Sequence, residues 1–290
     1  MRFRNLGFGA SFLMVATAST AAVAQPAAPA ARVPPASRWV VDTTGASCIA
    51  SRELAGPFSS QLVIRHYPGS GGYALVLASR EWRRLVRSRN AEIVVGTARR
   101  QQETRLVLGL PGGGVPTLRF GFSSTFLQEF GRATSVIDNA DGARIAEFPL
   151  PQAASVARVL GDCEKAFLAE WGADPAGLEE GARRPEPIGE EHKWLPLDDL
   201  FSRSRMGVAN NILARLTIGT DGRVQTCTII ESSLDEPRRT AACQGLIASA
   251  HYQPARDRNG NAVRSVAVYD IGLLRRIEFQ TTVVPSGRTN

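Results

Sequence analysis

Hydrophobic and polar residues alternate over several short segments in the first half of the chain, which is the pattern of half-buried β-strands. Glycines and prolines separate these segments, as expected for turns. The predicted strands comprise residues 38–42, 61–67, 73–78, 91–97, 104–110, 117–122 and 143–150. The first half is therefore predicted to be a β-rich domain that covers residues 38–173.

Residues 152–171 carry apolar side chains at spacings of three and four, which predicts an amphipathic helix that ends this domain. Cys163 lies on the inner face of this helix. The other cysteine of the domain, Cys48, follows the first predicted strand, so we expect the two to form a disulfide. A bridge that closes so long a loop is worth about 4 to 5 kcal/mol on the chain-entropy estimate.

Both periodicities stop between residues 174 and 194, where prolines and charged residues are dense, and this segment is predicted to be a linker. Beyond it, residues 211–218 and 223–231 alternate on either side of an Asp-Gly turn, which predicts a β-hairpin. Residues 263–273 alternate again and form a further predicted strand.

A helix is predicted between this hairpin and the last strand. Asp235 suits its N-cap, because a side-chain oxygen at that position accepts a hydrogen bond from the first backbone N–H groups. The inner stripe of the helix comprises Cys243, Leu246, Ile247 and Ala250. Cys227 lies on the preceding strand, so a strand-to-helix disulfide with Cys243 fits this arrangement. The β-β-α-β order predicts a small α+β domain at 195–278, followed by a tail at 279–290.

The first 24 residues have the three-part layout of a secretory signal peptide. Two arginines precede an uncharged apolar stretch, and small residues lead to Ala24 and Gln25, between which we expect cleavage. The mature protein would begin with an Ala/Pro-rich tether, residues 25–37, in the periplasm. The alternative is an uncleaved inner-membrane anchor, because residues 6–24 approach the roughly 20 residues that span a bilayer.

Export favours disulfides over metal-binding or catalytic roles for the cysteines. The net charge of +7 is carried almost wholly by arginine, so it identifies no partner by itself. A basic face is predicted at helical spacing and comprises Arg80, Arg83, Arg84 and Arg87, which flank Trp82. We expect a solvated face there, and the alternative is attraction to an anionic envelope polymer. Nucleic acid is not an expected partner, because the protein is predicted to be exported.

No motif in the sequence points to catalysis. Residues 69–72 lack the lysine of a phosphate-binding loop, so this glycine-rich run is expected to be a hairpin turn. His66, His192 and His251 are far from one another in sequence and have no cysteine at metal-ligand spacing. Adjacent carboxylates occur in the predicted linker, where we expect them to be solvating charges. We therefore expect no enzymatic activity, no bound metal and no cofactor.

Several short pieces of the second half together resemble a known family. They are Ala214-Arg215-Leu216-Thr217-Ile218, Asp221-Gly222-Arg223-Val224, Glu231-Ser232-Ser233 with Leu234-Asp235, and Tyr252-Gln253-Pro254-Ala255-Arg256-Asp257. With these pieces, the region from about Trp194 to Leu274 resembles the C-terminal domain of the TonB energy-transducer family. Cys227 and Cys243 match a disulfide-bearing branch of that family. The resemblance does not cover the first half of the chain.

This resemblance implies a binding function. TonB C-terminal domains take up an extended peptide of an outer-membrane transporter as an added strand, which is β-augmentation. The candidate edge here is the last predicted strand, with Val266, Val268 and Asp270 on one face and Tyr269 on the other. The alternatives are that this strand only completes the sheet, or that it pairs with residues 276–284.

Two functions from different classes remain open. We expect a periplasmic TonB-like protein that binds an outer-membrane transporter peptide or another envelope protein and is associated with transmembrane transport. The alternative is an envelope structural or wall-binding protein without energy coupling. This alternative follows because a full transducer needs a retained membrane helix and a long Pro-rich span, whereas this chain has a predicted cleavable signal and two short linkers.

Overall fold

The computed structural model describes residues 31–32, 35, 37–43, 45–55, 60–78, 91–102, 107–108, 117–201 and 210–273. The predicted signal segment with its cleavage site, the basic face around Trp82 and the predicted tail lie outside these residues. The fold of the described residues is mixed α+β, with more residues in strands than in helices. None of the described helices combines the length and the apolar character needed to cross a membrane.

The strands and helices are numbered along the chain. The strands are β1 (Ala31–Arg32), β2 (Val40–Asp42), β3 (Cys48–Leu54), β4 (Ser60–His66), β5 (Gly72–Ala78), β6 (Ala91–Val95), β7 (Ala98–Gln102), β8 (Val107–Leu108), β9 (Thr117–Ser123), β10 (Ser135–Ala140), β11 (Ala143–Pro149), β12 (Glu186–Pro187), β13 (Asn210–Ile218), β14 (Val224–Ser232), β15 (Tyr252–Gln253) and β16 (Ser265–Leu273). The helices are α1 (Phe126–Arg132), α2 (Ala153–Glu170), α3 (Leu197–Leu200) and α4 (Glu236–Ser249), with 3₁₀ turns at Pro175–Leu178 and Glu191–Lys193.

The described residues of the first half form two sheets and two helices. One sheet has the strand order β2-β3-β4-β5-β9-β8 and the other has the order β1-β11-β10-β6-β7. Helices α1 and α2 contribute to the hydrophobic core that these sheets share. Its largest fully buried side chains include Phe120, Phe126, Phe130 and Phe148. The predicted disulfide between Cys48 and Cys163 is present and joins β3 to α2.

The second half follows the β-β-α-β order. Strands β14, β13 and β16 form a three-stranded antiparallel sheet with β13 in the centre. Helix α4 covers one face, and its first turn is capped by Asp235, whose Oδ1 accepts a hydrogen bond from the backbone N–H of Arg238 over 3.2 Å. The predicted disulfide between Cys227 and Cys243 is present and joins β14 to this helix.

One residue of the predicted inner stripe of α4 is placed differently. Leu246 and Ala250 are fully buried against the sheet, but Ile247 is 44% exposed. Successive helical residues are rotated by about 100°, so the residue that follows a fully buried Leu246 points away from the sheet. The prediction that Ile247 belongs to the buried stripe is therefore wrong.

The two halves pack against each other through the face of the three-stranded sheet that α4 leaves uncovered. Leu168, near the end of α2, lies in a hydrophobic cluster with Val266 of β16. The guanidinium of Arg215 in β13 lies 5.1 Å from the centre of the Trp171 ring. These contacts bring the end of α2 next to the strand that the sequence singles out as a binding edge.

Residues 174–194, predicted to be a linker, lie along the second half, and we call them the strap. Strand β12 of the strap pairs with β15, and Arg183 exchanges two backbone hydrogen bonds with Arg256, of 2.8 and 3.0 Å. Trp194, the last residue of the strap, is buried in the core of the second half. In the predicted tether, Ala31–Arg32 form β1 and pair with β11.

Candidate functional site

Strand β16 lies at an edge of the three-stranded sheet, because β13 is its only strand partner among the described residues. Residues 276–284, the alternative partner, lie outside the described residues. The N–H and C=O groups of a strand residue point to the same side, and successive residues alternate. The backbone N–H of Val268 donates to Gly69 O, in the β4–β5 turn, over 3.0 Å. The backbone polar groups of Val266, Val268 and Asp270 therefore point away from β13.

The four residues predicted for the binding edge have different environments. Val266 and Val268 are buried on the sheet face that packs against the first half. Tyr269 is fully buried on the opposite face, beneath α4, whereas Asp270 is exposed. The side chains of the two valines are thus buried in the fold. Only the backbone groups of this edge are available to pair with a partner.

Two contacts occupy the outer edge of β16 and leave a gap between them. At one end, the backbone N–H of Asp174 in the strap donates to Arg264 O over 2.9 Å. At the other end, Gly69 O accepts from Val268. Between these contacts, the N–H and C=O of Val266 have no hydrogen-bond partner among the described residues. A cleft of about 460 Å³ opens at this gap.

The walls of this cleft come from both halves of the chain. Residues 265–268 of β16 form one side, and residues 69–71 of the β4–β5 turn close one end. Lys165 and Leu168 of α2 and several residues of the strap line the remaining sides. The predicted hairpin turn at 69–72 is confirmed, since β4 and β5 pair directly on either side of it.

Gly69 permits the close approach of this turn to β16. Its φ of +86° is in the left-handed region, and a Cβ at this position would lie 3.1 Å from Val266 O. The same Cβ would lie 3.4 Å from Ala267 Cα. Because both of these atoms belong to the backbone of a paired strand, a larger residue would displace the turn from the edge.

A buried ionic cluster holds the turn and the strap together. Glu164 of α2 is 4% exposed and accepts two hydrogen bonds from the Arg184 guanidinium of the strap, over 2.6 and 2.8 Å. His66 Nε2, at the end of β4, lies 2.9 Å from Glu164 Oε1. His66 Nδ1 lies 2.6 Å from Gly72 O, so the ring contacts an acceptor on both sides.

The contacts within the ionic cluster shift the pKa values of Glu164 and Arg184. Burial alone would raise the pKa of the Glu164 carboxyl, but the contacts with His66 and Arg184 outweigh burial and hold that pKa well below its ordinary range. The hydrogen bonds to Glu164 in turn raise the pKa of the Arg184 guanidinium. Glu164 is therefore an ionised, fully paired carboxylate, and its place in the fold indicates a role in fixing the cleft walls.

Three polar side chains along the cleft lack a partner among the described residues. Tyr252 Oη and Ser265 Oγ are buried without a hydrogen bond. Glu191, at the start of the second 3₁₀ turn, lines the same cleft and forms no side-chain hydrogen bond or ion pair with a described residue. Sequence reasoning did not single out these residues. Tyr252 begins one of the family-like pieces, whereas Glu191 lies among carboxylates that were expected to be solvated.

Among the residues that the structure describes, no group of three or more His, Cys, Asp or Glu side chains is placed to hold a metal ion. Comparisons with protein-family models, with curated proteins and with solved structures find no match.

Proposed function

We propose that this protein is an exported, TonB-like binding module that takes up an extended segment of an envelope partner as an added strand on β16. The observation that carries the proposal is the unpaired N–H and C=O of Val266, which face a cleft at the edge of the sheet. Unpaired strand edges recruit extended chains, because each added residue pair satisfies backbone donors and acceptors on both partners.

The length of the gap limits what binds without rearrangement. Arg264, whose C=O accepts from Asp174, and Val268, whose N–H donates to Gly69, are four residues apart, which corresponds to roughly 13 Å along a strand. A segment of about three or four residues fits between the two contacts. A longer ladder requires that the β4–β5 turn leave Val268.

The partner is an outer-membrane transporter peptide or another envelope protein in this proposal, and the setting is the periplasm. The two disulfides support an oxidising compartment, because such bridges persist outside the reducing cytosol. The resemblance of the second half to TonB C-terminal domains supports the transporter as partner. The association with transmembrane transport rests on that same resemblance.

One observation favours a second candidate, an envelope structural protein without energy coupling. The hydrogen bond from Val268 to Gly69 closes part of the edge within the chain itself. If this closure is permanent, β16 completes the fold and no partner strand is added. The two candidates differ in one measurable property, the affinity of the intact protein for extended peptides.

The experiment uses peptides from the amino-terminal regions of outer-membrane transporters, with affinity measured by isothermal titration calorimetry. Val266→Pro removes the free donor, whereas Val266→Ala shortens the same side chain and keeps the donor. We expect Val266→Pro to weaken binding by tenfold or so, since a net hydrogen bond is worth about 1 kcal/mol and the acceptor is also displaced. The alanine variant is expected to bind like the parent protein.

Equal affinities of the two variants would exclude β16 as the binding edge. No binding by the parent protein would favour the structural candidate. Far-ultraviolet circular dichroism of both variants shows whether the proline has unfolded the sheet. N-methylation of the peptide tests the same pairing without any change to the protein.

A further inference from the structure

The cleft has a polar side and an apolar side, which follow from the two faces of β16. Val266 and Leu168 lie together on the face that packs against the first half. Ser265 belongs to the opposite pleat, the face on which Tyr252 and Tyr269 pack beneath α4. A strand added beside Val266 would point alternate side chains to these two faces.

Tyr252 is held rigidly on the polar side. It is 4% exposed, its backbone N–H donates to Gly222 O over 2.9 Å, and its ring centre lies 5.2 Å from that of Trp194. Despite this burial, its Oη has no hydrogen-bond partner in the part of the chain that the structure describes, and neither does Ser265 Oγ on a residue that is 7% exposed. Buried hydroxyl groups are nearly always hydrogen-bonded, so the two hydroxyls at this cleft are available to a polar group, from a ligand or from water, that enters it.

The carboxylate of Glu191 lies at the same side of the cleft. Its own backbone O accepts a hydrogen bond from Tyr269 Oη over 3.4 Å, which places the residue beside the two tyrosines. The nearby basic side chains contact another carboxylate, because Lys193 Nζ lies 2.8 Å and His192 Nε2 lies 3.2 Å from the Glu190 carboxylate. Burial, and then the charge of Asp270, raise the pKa of the Glu191 carboxyl. A cation from outside the described residues would relieve this unfavourable burial.

The other charged side chains that line the cleft form contacts within the chain or are exposed to solvent. Arg184 is held by Glu164, and the Glu179 carboxylate lies 3.6 Å from Arg258 Nε. Lys165 and Arg264 are exposed, so solvent and salt screen their repulsion of an incoming cation. Asp174 Oδ1 accepts a hydrogen bond from the backbone N–H of Ala176 over 2.9 Å. Glu191 is therefore a half-buried carboxylate of the cleft that has neither a side-chain hydrogen bond nor an ion pair among the described residues.

We propose that the cleft selects an extended segment that carries a basic side chain, with the ammonium or guanidinium group between the Glu191 carboxylate and Tyr252 Oη. The neighbouring side chain of the segment is apolar and lies against Leu168. A basic group donates several hydrogen bonds and accepts none, which matches a carboxylate and a phenolic oxygen that both lack a donor. This inference rests on the proposed strand addition and specifies the chemistry of the added segment.

The test uses capped peptides of about nine residues built from serine, threonine and valine, so that three or four interior residues can pair in the gap while the ends extend beyond it. A single lysine occupies each interior position in turn, and a matched set carries norleucine, which has a similar length without the charge. Affinity for the full-length protein is measured by fluorescence anisotropy. At least one lysine peptide is expected to bind about tenfold more tightly than its norleucine counterpart, the effect of one charge-assisted hydrogen bond.

Two variants of the protein assign this preference to a residue. Glu191→Gln should abolish the preference for lysine, because it removes the charge and keeps the shape. Glu180→Gln is the matched control, since Glu180 lines the same cleft but is exposed, and this variant should retain the preference.

The outcomes separate this inference from the proposed function. Equal binding of lysine and norleucine peptides, or a preference that survives Glu191→Gln, would overturn the basic-residue inference while strand addition stands. A failure of every peptide of both sets to bind would overturn strand addition and, with it, this inference. A preference that both glutamine variants lose would show that the net charge of the cleft, rather than Glu191, attracts the peptide, which also contradicts the inference.

Discussion

Replacement of Gly69 by alanine should detach the β4–β5 turn from β16. The Cβ of the alanine would lie 3.1 Å from Val266 O, closer than such contacts normally are. Gly71 in the same turn provides a matched control. It also has a positive φ, +66°, but a Cβ there meets no atom within 4 Å.

The expected magnitude follows from these two positions. Both alanine variants place a Cβ on a left-handed backbone, which lowers the free energy of unfolding by roughly 1 to 2 kcal/mol. Only Gly69→Ala also disrupts the hydrogen bond from Val268, which is worth about 0.5 to 1.5 kcal/mol. Urea denaturation should therefore show Gly69→Ala to be less stable than Gly71→Ala by about 1 kcal/mol.

Hydrogen exchange of the Val268 amide is the more specific assay. We expect protection of this amide to fall in Gly69→Ala and to be retained in Gly71→Ala. Equal protection in the two variants would refute the reasoning that the turn is held on β16 by the close approach of Gly69. Under the proposed function, Gly69→Ala should also bind partner peptides at least as tightly as the parent protein, because Val268 is freed for the ladder.

Three further outcomes are expected. Replacement of Cys48 and Cys163 by serine should cost about 5 kcal/mol in urea denaturation, against about 3 for loss of the second bridge, because the sequence separations are 115 and 16. Glu164→Gln should cost about 1.5 to 3 kcal/mol at neutral pH, since it removes the charge-assisted hydrogen bonds to an Arg184 guanidinium that is half exposed. The pKa of Glu164 is lower in the folded than in the unfolded protein. The stabilisation by its carboxylate is therefore present above the unfolded value of about 4.3 and is lost as the pH falls below it. The melting temperatures of parent and variant should accordingly converge in acid. Tyr252→Phe should leave the melting temperature unchanged or raise it, because the hydroxyl that it removes has no partner.

The disulfides and the order of the second half could be predicted because local patterns determine them. Cys163 and Cys243 lie on helices whose apolar spacing identifies the inner face, and α2 and α4 form where that spacing occurs. Strand β3 was missed because Arg52 occupies an inward position of its alternating pattern. That side chain is 5% exposed and donates to Ser37 O, a contact that no local pattern indicates.

The cleft could not be predicted, because its walls meet only after distant segments pair. Arg184 lies twenty residues after Glu164 in the sequence, and His66 lies almost a hundred residues before Glu164. The sequence predicts a solvated charge at Glu191, because the strap has the composition of a linker. Its burial depends on pairing of the strap with residues 252–256, which is a tertiary contact.

The most direct test of strand addition on β16 changes the peptide and leaves the protein intact. The tightest-binding transporter peptide is prepared in two forms, each N-methylated at alternate residues, so that one form blocks the N–H groups on one edge and the other form blocks the opposite edge. Strand addition predicts that one form loses binding to the protein and that the other retains it, because only one edge of an added strand faces Val266. Equal binding by both forms would contradict the account.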